Sequence, residues 1–266
     1  MKRLAWVTDI HLNFVSQDLI KDFARKILDA APDAVLLGGD IGEADNAEKY
    51  LMRLRELLKI PIFFVLGNHD YYRGSIADVR RKMAGLSANL PGLHWLSEMD
   101  FISLSEDTAL VGHDSWADGR LGNGIQSTLL LNDYLLIWDF IGLPVARRFQ
   151  KLKALGDEAA RHFARVLPKA FERQRNVILL THVPPFRESC WHEGGISDAD
   201  GLPHFACKAA GDVMLREMQQ RPAGNLLVLC GHTHSSGEAR ILSNLCVRTG
   251  GAIYGSPAIQ SIVEVF

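Results

Sequence analysis

Seven side chains of the kinds that bind hard or borderline metal ions follow short apolar runs at separate places in the chain. They are two aspartates, one asparagine and four histidines: Asp9, His11, Asp40, Asn68, His182, His232 and His234. Carboxylate and amide oxygens with imidazole nitrogens, and no thiolate, suit Mn, Fe or Zn, and also Ni or Co, better than copper or an iron–sulfur cluster. The set also exceeds what one tetrahedral zinc ion requires. The residue types therefore predict a centre for two divalent or trivalent metal ions.

Asp40 is the natural bridge between two ions, because it lies in the middle of the set and a carboxylate has two oxygens to share. Two ions so held would clamp a phosphoryl oxygen and generate a bridging hydroxide that attacks phosphorus. His69 directly follows Asn68 and precedes Asp70, which would fix the tautomer of His69 and keep its ring cationic. We therefore expect His69 and Asp70 to be catalytic, with His69 as general acid. Asn68 and His69 are also expected to contact substrate.

Five apolar runs precede these side chains and are typical of strands that are covered on both faces. The runs are Leu4 to Val7, Ala34 to Leu37, Ile62 to Leu66, Val177 to Leu180, and Leu226 to Cys230. In open α/β sheets, functional sites form where loops leave the carboxyl ends of the strands. Five loops would thus deliver the ligands to one edge, and the glycines Gly67 and Gly231 beside them permit close backbone approach.

Helical spacing of apolar residues separates these runs. It predicts helices over Asp18 to Ala31, Ala47 to Leu58, about Arg147 to Gln174, and about Lys208 to Gln219. The third of these would break near Gly156 or Pro168. Alternating strands and helices predict an α/β fold, and residues 258–266 are predicted to be β-structure.

The spaced blocks resemble those of the calcineurin-like metallophosphoesterase superfamily, from residue 9 to residue 234. The blocks are Asp9-Ile10-His11, Gly39-Asp40, Gly67-Asn68-His69-Asp70, His182 and Gly231-His232-Thr233-His234. The resemblance implies a four-layer αββα sandwich of two mixed β-sheets flanked by helices, with the metal site at the carboxyl ends of the strands. It also implies two ligand groups that share Asp40: Asp9, His11, Asp40 and His234 for the first ion, and Asp40, Asn68, His182 and His232 for the second.

One branch of that superfamily, the protein serine/threonine phosphatases, carries Asp-Arg-Gly shortly after the second-block aspartate. Here Asp40 is followed by Ile41-Gly42-Glu43, so the arginine that would clamp phosphate is absent. This difference argues against a protein phosphatase. Arg73 or Arg120 would be the substitute cation, with Arg73 as the candidate substrate contact.

Two segments of the expected single domain, which spans residues 1–266, do not fit the alternation of strands and helices. They are residues 115–146 and 183–206, and such long irregular insertions are candidates for the walls of a substrate cleft. Within the first insertion, the Leu129 to Leu136 cluster predicts core or an oligomer contact, with a hydrophobic substrate pocket as the alternative. Within the second, residues 191–193 predict a solvated patch, with a substrate lid as the alternative.

The overall charge excludes a general attraction to nucleic acid or to an anionic membrane, because the net charge is −2 and the pI is near 6.5. The apolar run after Met1-Lys2-Arg3 is too short for a signal peptide. The four cysteines form no C-x-x-C pair or zinc-finger spacing, so we expect reduced thiols and a cytoplasmic location. No membrane-spanning segment is expected.

These features predict a metal-dependent hydrolase of a small phosphomonoester or phosphodiester, such as a nucleotide. A nuclease of the same superfamily is an alternative, although duplex binding depends on many Lys and Arg contacts that the composition does not offer. A catalytically silent metal-binding scaffold is a third hypothesis. Such a scaffold would be expected to lose ligands or the acid histidine, and none is missing here.

Overall fold

Two β-sheets face each other at the centre of the computed structural model, which describes residues 2–265. The strands are β1 (Lys2–Val7), β2 (Ala34–Leu37), β3 (Ile62–Phe64), β4 (Leu93–Trp95), β5 (Ile102–Ser103), β6 (Thr108–His113), β7 (Asn176–Thr181), β8 (Trp191–His192), β9 (Gly195–Ile196), β10 (Asn225–Cys230), β11 (Gly237–Leu242), β12 (Leu245–Thr249) and β13 (Ser261–Val265). The α-helices are α1 (Gln17–Asp29), α2 (Ala47–Leu58), α3 (Ile76–Asn89), α4 (Asp133–Leu136), α5 (Val145–Phe171), α6 (Leu202–Phe205) and α7 (Lys208–Gln219).

Both sheets are mixed. The first has the order β13-β1-β2-β3-β4, in which only β13 runs antiparallel to its neighbour. The second has the order β11-β12-β10-β7-β6-β5, with parallel central strands and an antiparallel strand at each edge. The predicted C-terminal β-structure is confirmed over Ser261–Val265, which form β13. Residues 258–260 precede that strand, and Phe266 lies outside the described residues.

Alternation along the strands explains the layers, because successive side chains point to opposite faces of a sheet. In β1, Leu4 and Trp6 pack in a core cluster with Ile178 and Leu229 of the second sheet. Their neighbours in β1 belong to a different cluster, which contains residues of helices α1, α2 and α3. On the far side of the second sheet, β7 and β10 share a third cluster with α5 and α7. The four-layer αββα sandwich is therefore confirmed.

Every predicted apolar run forms a strand, and each predicted helix forms within three residues of its expected ends. The expected break in the third helix is wrong, because α5 is continuous from Val145 to Phe171. A side chain at Gly156 would collide with Asp118, so this glycine permits close packing rather than a break. Pro168 lies in the last turn, and the helix continues past it to Phe171.

The interpretation of the Leu129 to Leu136 cluster as core is wrong for its two most exposed leucines. Leu130 and Leu135 are 56% and 55% exposed, whereas Tyr134 of the same segment is 2% exposed. The aromatic side chain fills the space against the first sheet's helical layer, and the leucines face outward.

No helix between residues 2 and 265 is both long enough and apolar enough to cross a bilayer. All four cysteines carry free thiols, as predicted, and three of them are buried.

Candidate metal centre

The seven predicted ligands come together where five strands end. Asp9 and His11 follow β1, Asp40 follows β2, Asn68 follows β3, His182 follows β7, and His232 and His234 follow β10. Backbone hydrogen bonds join neighbouring loops, from Asp9 N to Gly39 O at 3.1 Å and from His11 N to Asp40 O at 2.9 Å. The edges of the two sheets meet where the His182 ring lies 2.9 Å from the Gly38 carbonyl oxygen.

Five of these ligands have left-handed backbone conformations. Their φ angles lie between 40° and 74°, at Asp9, His11, Asp40, His232 and His234. Each such conformation costs a non-glycine residue roughly 1–3 kcal/mol, and it persists where the surrounding structure over-determines it. Because strain of this kind clusters at functional sites, the backbone supports a functional centre independently of the residue types.

One ligand group consists of Asp9, His11, Asp40 and His234, whose ligand atoms all lie within 4.8 Å of one another. The Nε2 atoms of His11 and His234 are 3.1 Å apart. His11 Nε2 lies 3.7 Å from Asp40 Oδ2, and His234 Nε2 lies 3.5 Å from Asp9 Oδ1. The arrangement gathers two carboxylates and two imidazoles around one point.

The second group surrounds Asn68 Oδ1, which lies 3.0 Å from His182 Nε2 and 2.9 Å from His232 Nδ1. His182 Nε2 lies 3.4 Å from Asp40 Oδ1. The two oxygens of Asp40 are therefore divided, with Oδ1 toward this group and Oδ2 toward His11 of the first group.

The tautomers in the second group leave no proton between the converging atoms. A carbonyl oxygen only accepts, so the His182 ring donates from Nδ1 to Gly38 O, and the His232 ring donates from Nε2 to His204 O at 3.1 Å. The opposite nitrogens, which face Asn68 Oδ1, then carry lone pairs. Three acceptors at hydrogen-bond distance with no shared proton repel one another, and a cation would stabilise them. The donor set therefore fits a metal ion.

The charge balance of the centre also fits a cation. Burial, together with the charges of Asp9 and Asp70, raises the pKa of Asp40 well above its ordinary value. Burial lowers the pKa of His11 and of His232 to about 3 each, so both rings are neutral, as metal ligation requires. Two buried carboxylates beside neutral imidazoles favour a bound positive ion.

Two glycines allow the loops to approach the carboxylates. A Cβ atom at Gly67 would collide with Asp40 Oδ1, and one at Gly231 would collide with Asp9 Oδ2. These positions require glycine because the liganding oxygens occupy the space that a side chain would fill.

His69 lies at the centre, but Asp70 does not hold its ring. The His69 ring stacks on Tyr72 at 4.3 Å, and its Nε2 lies 4.0 Å from Asp40 Oδ2. Asp70 instead accepts three backbone hydrogen bonds of 2.9 Å, from Ile41, Gly42 and Gly67. Burial, assisted by His11, lowers the pKa of His69 to about 2. The expectation that Asp70 fixes the tautomer of His69 and keeps it cationic is therefore wrong. Asp70 ties together the loops after β2 and β3.

The arginines considered as substitute phosphate clamps have carboxylate partners. Arg73 pairs with Glu43 and is 58% exposed. Arg120 is held between Asp118 at 2.9 Å and Asp157 at 2.7 Å. Arg120 therefore belongs to an ion-pair network against α5, whereas a substrate contact for Arg73 stays a prediction.

Sequence reasoning missed three residues that contact the centre. Asp133 Oδ1 accepts from Asn68 Nδ2 and from the Tyr72 hydroxyl, both at 2.8 Å, and so turns Asn68 Oδ1 toward the histidines. His204 supplies the carbonyl that fixes His232. The Tyr254 ring lies 4.5 Å from the His11 ring. Asp133 and His204 belong to the two segments already suspected as cleft walls, whereas Tyr254 lies in a glycine-rich loop with no recognisable signal.

Comparisons with known proteins agree with this fold. A model of the calcineurin-like phosphoesterase family matches residues 2–236. Among solved structures, the phosphopantetheinyl hydrolase of Mycobacterium tuberculosis superposes with a TM-score of 0.64 at 16% identity, over 93% of this chain and 89% of the other. A dimetal phosphatase from Danio rerio superposes with a TM-score of 0.57 at 14% identity, over 95% of this chain and 88% of the other. No curated protein sequence matches the chain significantly.

Proposed function

The chain belongs to the calcineurin-like phosphoesterase family, and we propose that it hydrolyses a small phosphomonoester or phosphodiester at two metal ions. The observation that carries this proposal is the division of Asp40, whose Oδ1 faces the Asn68 group and whose Oδ2 faces the His11 group. A carboxylate whose two oxygens face two separate groups of candidate ligands is suited to bridge two ions. When bound, such ions would polarise the phosphoryl group and acidify a water molecule.

The proposed ligands are Asp9, His11, Asp40 and His234 for one ion, and Asp40, Asn68, His182 and His232 for the other. Mn, Fe or Zn suits the donor atoms, with Ni or Co as further choices. Thr8 and the backbone of His232 donate hydrogen bonds to Asp9, and Asp133 orients Asn68. These contacts preorganise the ligands, so little rearrangement is needed when the ions bind.

We propose that the negative charge of a bound phosphate ester favours protonation of the His69 ring, which then donates that proton to the leaving-group oxygen and returns to the neutral imidazole. Its side chain is 16% exposed and lies beside Asp40, so it is within the centre and still open to a substrate. His69→Ala is expected to reduce turnover of an alkyl phosphate far more than turnover of p-nitrophenyl phosphate. The reason is that p-nitrophenolate leaves without protonation and an alkoxide does not. Equal losses with both esters would contradict this role and indicate a contribution to binding instead.

The two insertions form the proposed walls of the substrate cleft. Residues Thr128 to Leu131 of the first and His192 to Phe205 of the second line a common cavity of about 650 Å³. Phe205 also packs against the ring of His232, at 5.7 Å between centroids. With four unpaired thiols in the chain, we propose that this hydrolase works in the reducing cytoplasm.

The test is hydrolysis of p-nitrophenyl phosphate and bis(p-nitrophenyl) phosphate by chelator-stripped protein, with Mn, Fe, Zn, Ni, Co or Mg restored one at a time. Asp40→Ala should abolish the restored turnover. The matched control is Asp29→Ala, an exposed aspartate at the end of α1, which should leave turnover unchanged. The preferred ester distinguishes phosphatase from phosphodiesterase. Competition by DNA that weakens steeply with salt would favour a nuclease, and two bound ions without turnover would favour a scaffold.

A further inference from the structure

Two half-exposed aromatic rings lie together at the mouth of the metal centre. Phe14 ends the short 3₁₀ helix that follows His11, and Tyr254 lies in the loop between β12 and β13. Their ring centroids are 4.9 Å apart, and the side chains are 55% and 49% exposed. Neighbouring Ile253 is 74% exposed. Large apolar side chains left in water as a group often mark a binding surface.

The position of Tyr254 relates this surface to the chemistry. Its ring lies 4.5 Å from the ring of His11, 5.1 Å from that of His234 and 6.3 Å from that of His69. The first two are proposed ligands of one ion, and the third is the proposed proton donor. A phosphoryl group at the ions would therefore place its ester substituent within reach of the Tyr254 and Phe14 rings.

The cavities beside the centre disfavour additional negative charge on that substituent. The cavity between the insertions is lined by Glu193, Asp198 and Asp200, with no lysine or arginine among its lining residues. A second cavity of about 480 Å³, which includes Asp9, His234 and Ile253, likewise has no lysine or arginine among its lining residues. A substrate with one phosphate and an uncharged, flat substituent suits these walls better than a polyphosphate or an oligonucleotide.

We propose that Tyr254, which the Phe14 ring meets edge to face at 64°, provides a stacking platform for the leaving group, so that the substrate is a phosphomonoester of a nucleoside or of a similar alcohol with an aromatic ring. This inference rests on the proposed function. Base–aromatic stacking contributes about 1–3 kcal/mol per base, which corresponds to a roughly 5- to 150-fold preference. The platform supplies that preference without hydrogen bonds to the base, so it distinguishes aromatic from non-aromatic esters rather than one base from another.

The test compares adenosine 5′-monophosphate with ribose 5-phosphate, which share the same primary phosphate ester and differ in the base. The wild-type protein should prefer the nucleotide in kcat/KM. Tyr254→Ala should reduce that preference by about 10-fold, within the range for one stacked base, whereas Tyr254→Phe should retain it because the ring remains. The control is Trp138→Ala, which removes a 61% exposed aromatic from a different cavity and should not change the preference.

Equal losses for both esters in Tyr254→Ala would overturn the platform and leave the hydrolase intact, because the ring would then act on the metal ligands alone. Dissociation constants of the two compounds, measured by calorimetry on metal-loaded protein, decide the question separately from turnover. If the wild type binds both compounds equally, the platform is wrong. If it binds the nucleotide more tightly but hydrolyses no ester with any metal, the platform stands and the proposed hydrolysis fails.

Discussion

Two parts of the candidate centre differ in burial, in hydrogen bonding and in backbone strain. We call the seven proposed ligands the floor and the exposed apolar side chains around them the rim. The rim consists of Phe14, Leu129, Leu130, Ile253 and Tyr254. Five floor residues are at most 8% exposed, whereas every rim residue is at least 36% exposed. Five floor side chains are held by hydrogen bonds to backbone or to Asp133, namely those of Asp9, Asp40, Asn68, His182 and His232. Five floor backbones are strained. At the rim, the side-chain contacts include those between aromatic rings, of Tyr254 with His11 and with Phe14.

The ligand positions and the choice of substrate therefore depend on different parts of the centre. Strain and interlocking hydrogen bonds at the floor fix donor atoms in place, which an ion with strict distances requires. The rim tolerates exchange because its contacts depend on area rather than on direction. We therefore expect floor substitutions to change metal affinity and all turnover, and rim substitutions to change only the choice of substrate.

After the complete loss expected in Asp40→Ala, the largest effect is that of Gly67→Ala. The new Cβ would collide with Asp40 Oδ1 and lie within 2.6 Å of the Asp40 nitrogen and of the His182 ring, so backbone has to move. Turnover of p-nitrophenyl phosphate should fall at least about 100-fold, because a displacement of about 1 Å in a catalytic site costs that much. Gly85→Ala, in α3 where a Cβ meets nothing, is the control and should raise the unfolding free energy by about 0.5–1 kcal/mol. Full activity of Gly67→Ala would show that the floor is not interlocked.

The next effect should come from Asp133→Asn, which keeps the size of the side chain and removes its acceptor-only character. The new amide can donate to Asn68 as well as accept from it. The orientation with Asn68 Oδ1 toward His182 and His232 is then no longer favoured over the flipped one. Metal affinity should weaken about 10- to 100-fold, as is typical when a residue that orients a ligand is changed. Calorimetric titration should find one ion weakened and the other almost unaffected. Equal weakening of both would indicate general disruption.

A smaller effect concerns the pH dependence of the unfolding free energy, which His162 should change from a position outside the floor. His162 and His113 have ring centroids 4.8 Å apart beneath α5, and burial, followed by the charge of Arg165, lowers the pKa of His162 to about 4. The unfolded chain, with an ordinary pKa of 6.5, therefore binds more protons than the folded protein between these values, and stability falls as the pH falls through this window. The unfolding free energy should drop by about 1–2 kcal/mol from pH 7 to pH 5 on this account.

His162→Gln should reduce that pH dependence. Denaturant unfolding of chelator-stripped protein at both pH values measures the effect without the contribution of metal binding. An unchanged difference between the two pH values would assign the acid sensitivity to other groups.

The smallest effect is expected at the outer rim. Leu130 is 56% exposed and lines the cavity between the insertions, so Leu130→Ala removes apolar area without leaving a hole in the core. Turnover of p-nitrophenyl phosphate, whose aryl group is small, should change less than about twofold, because surface substitutions of this kind stay within about 0.5 kcal/mol. A loss comparable to that in Asp133→Asn would show that the rim supports the floor.

Much of the fold could be predicted, because strands buried on both faces and amphipathic helices leave strong local patterns. The limits of α2 and α7 were predicted to the residue. The continuity of α5 was not, because a glycine within a helical pattern does not reveal that Asp118 packs against it. The exposed face of the Leu129 to Leu136 segment was also missed, since an apolar sequence does not say which of its residues meets the core.

The local sequence was enough to indicate the seven proposed ligands, because each follows a strand whose end is recognisable in the local pattern. The direction in which their atoms face depends on the tertiary structure. The Asn68 amide is oriented by Asp133, 65 residues later, and the neighbouring Asp70 faces backbone amides rather than His69. The tertiary structure also decided that Phe14 and Tyr254 meet beside His11. Hydrogen-bond direction and contact between distant segments depend on packing in three dimensions, which no local spacing of residues encodes.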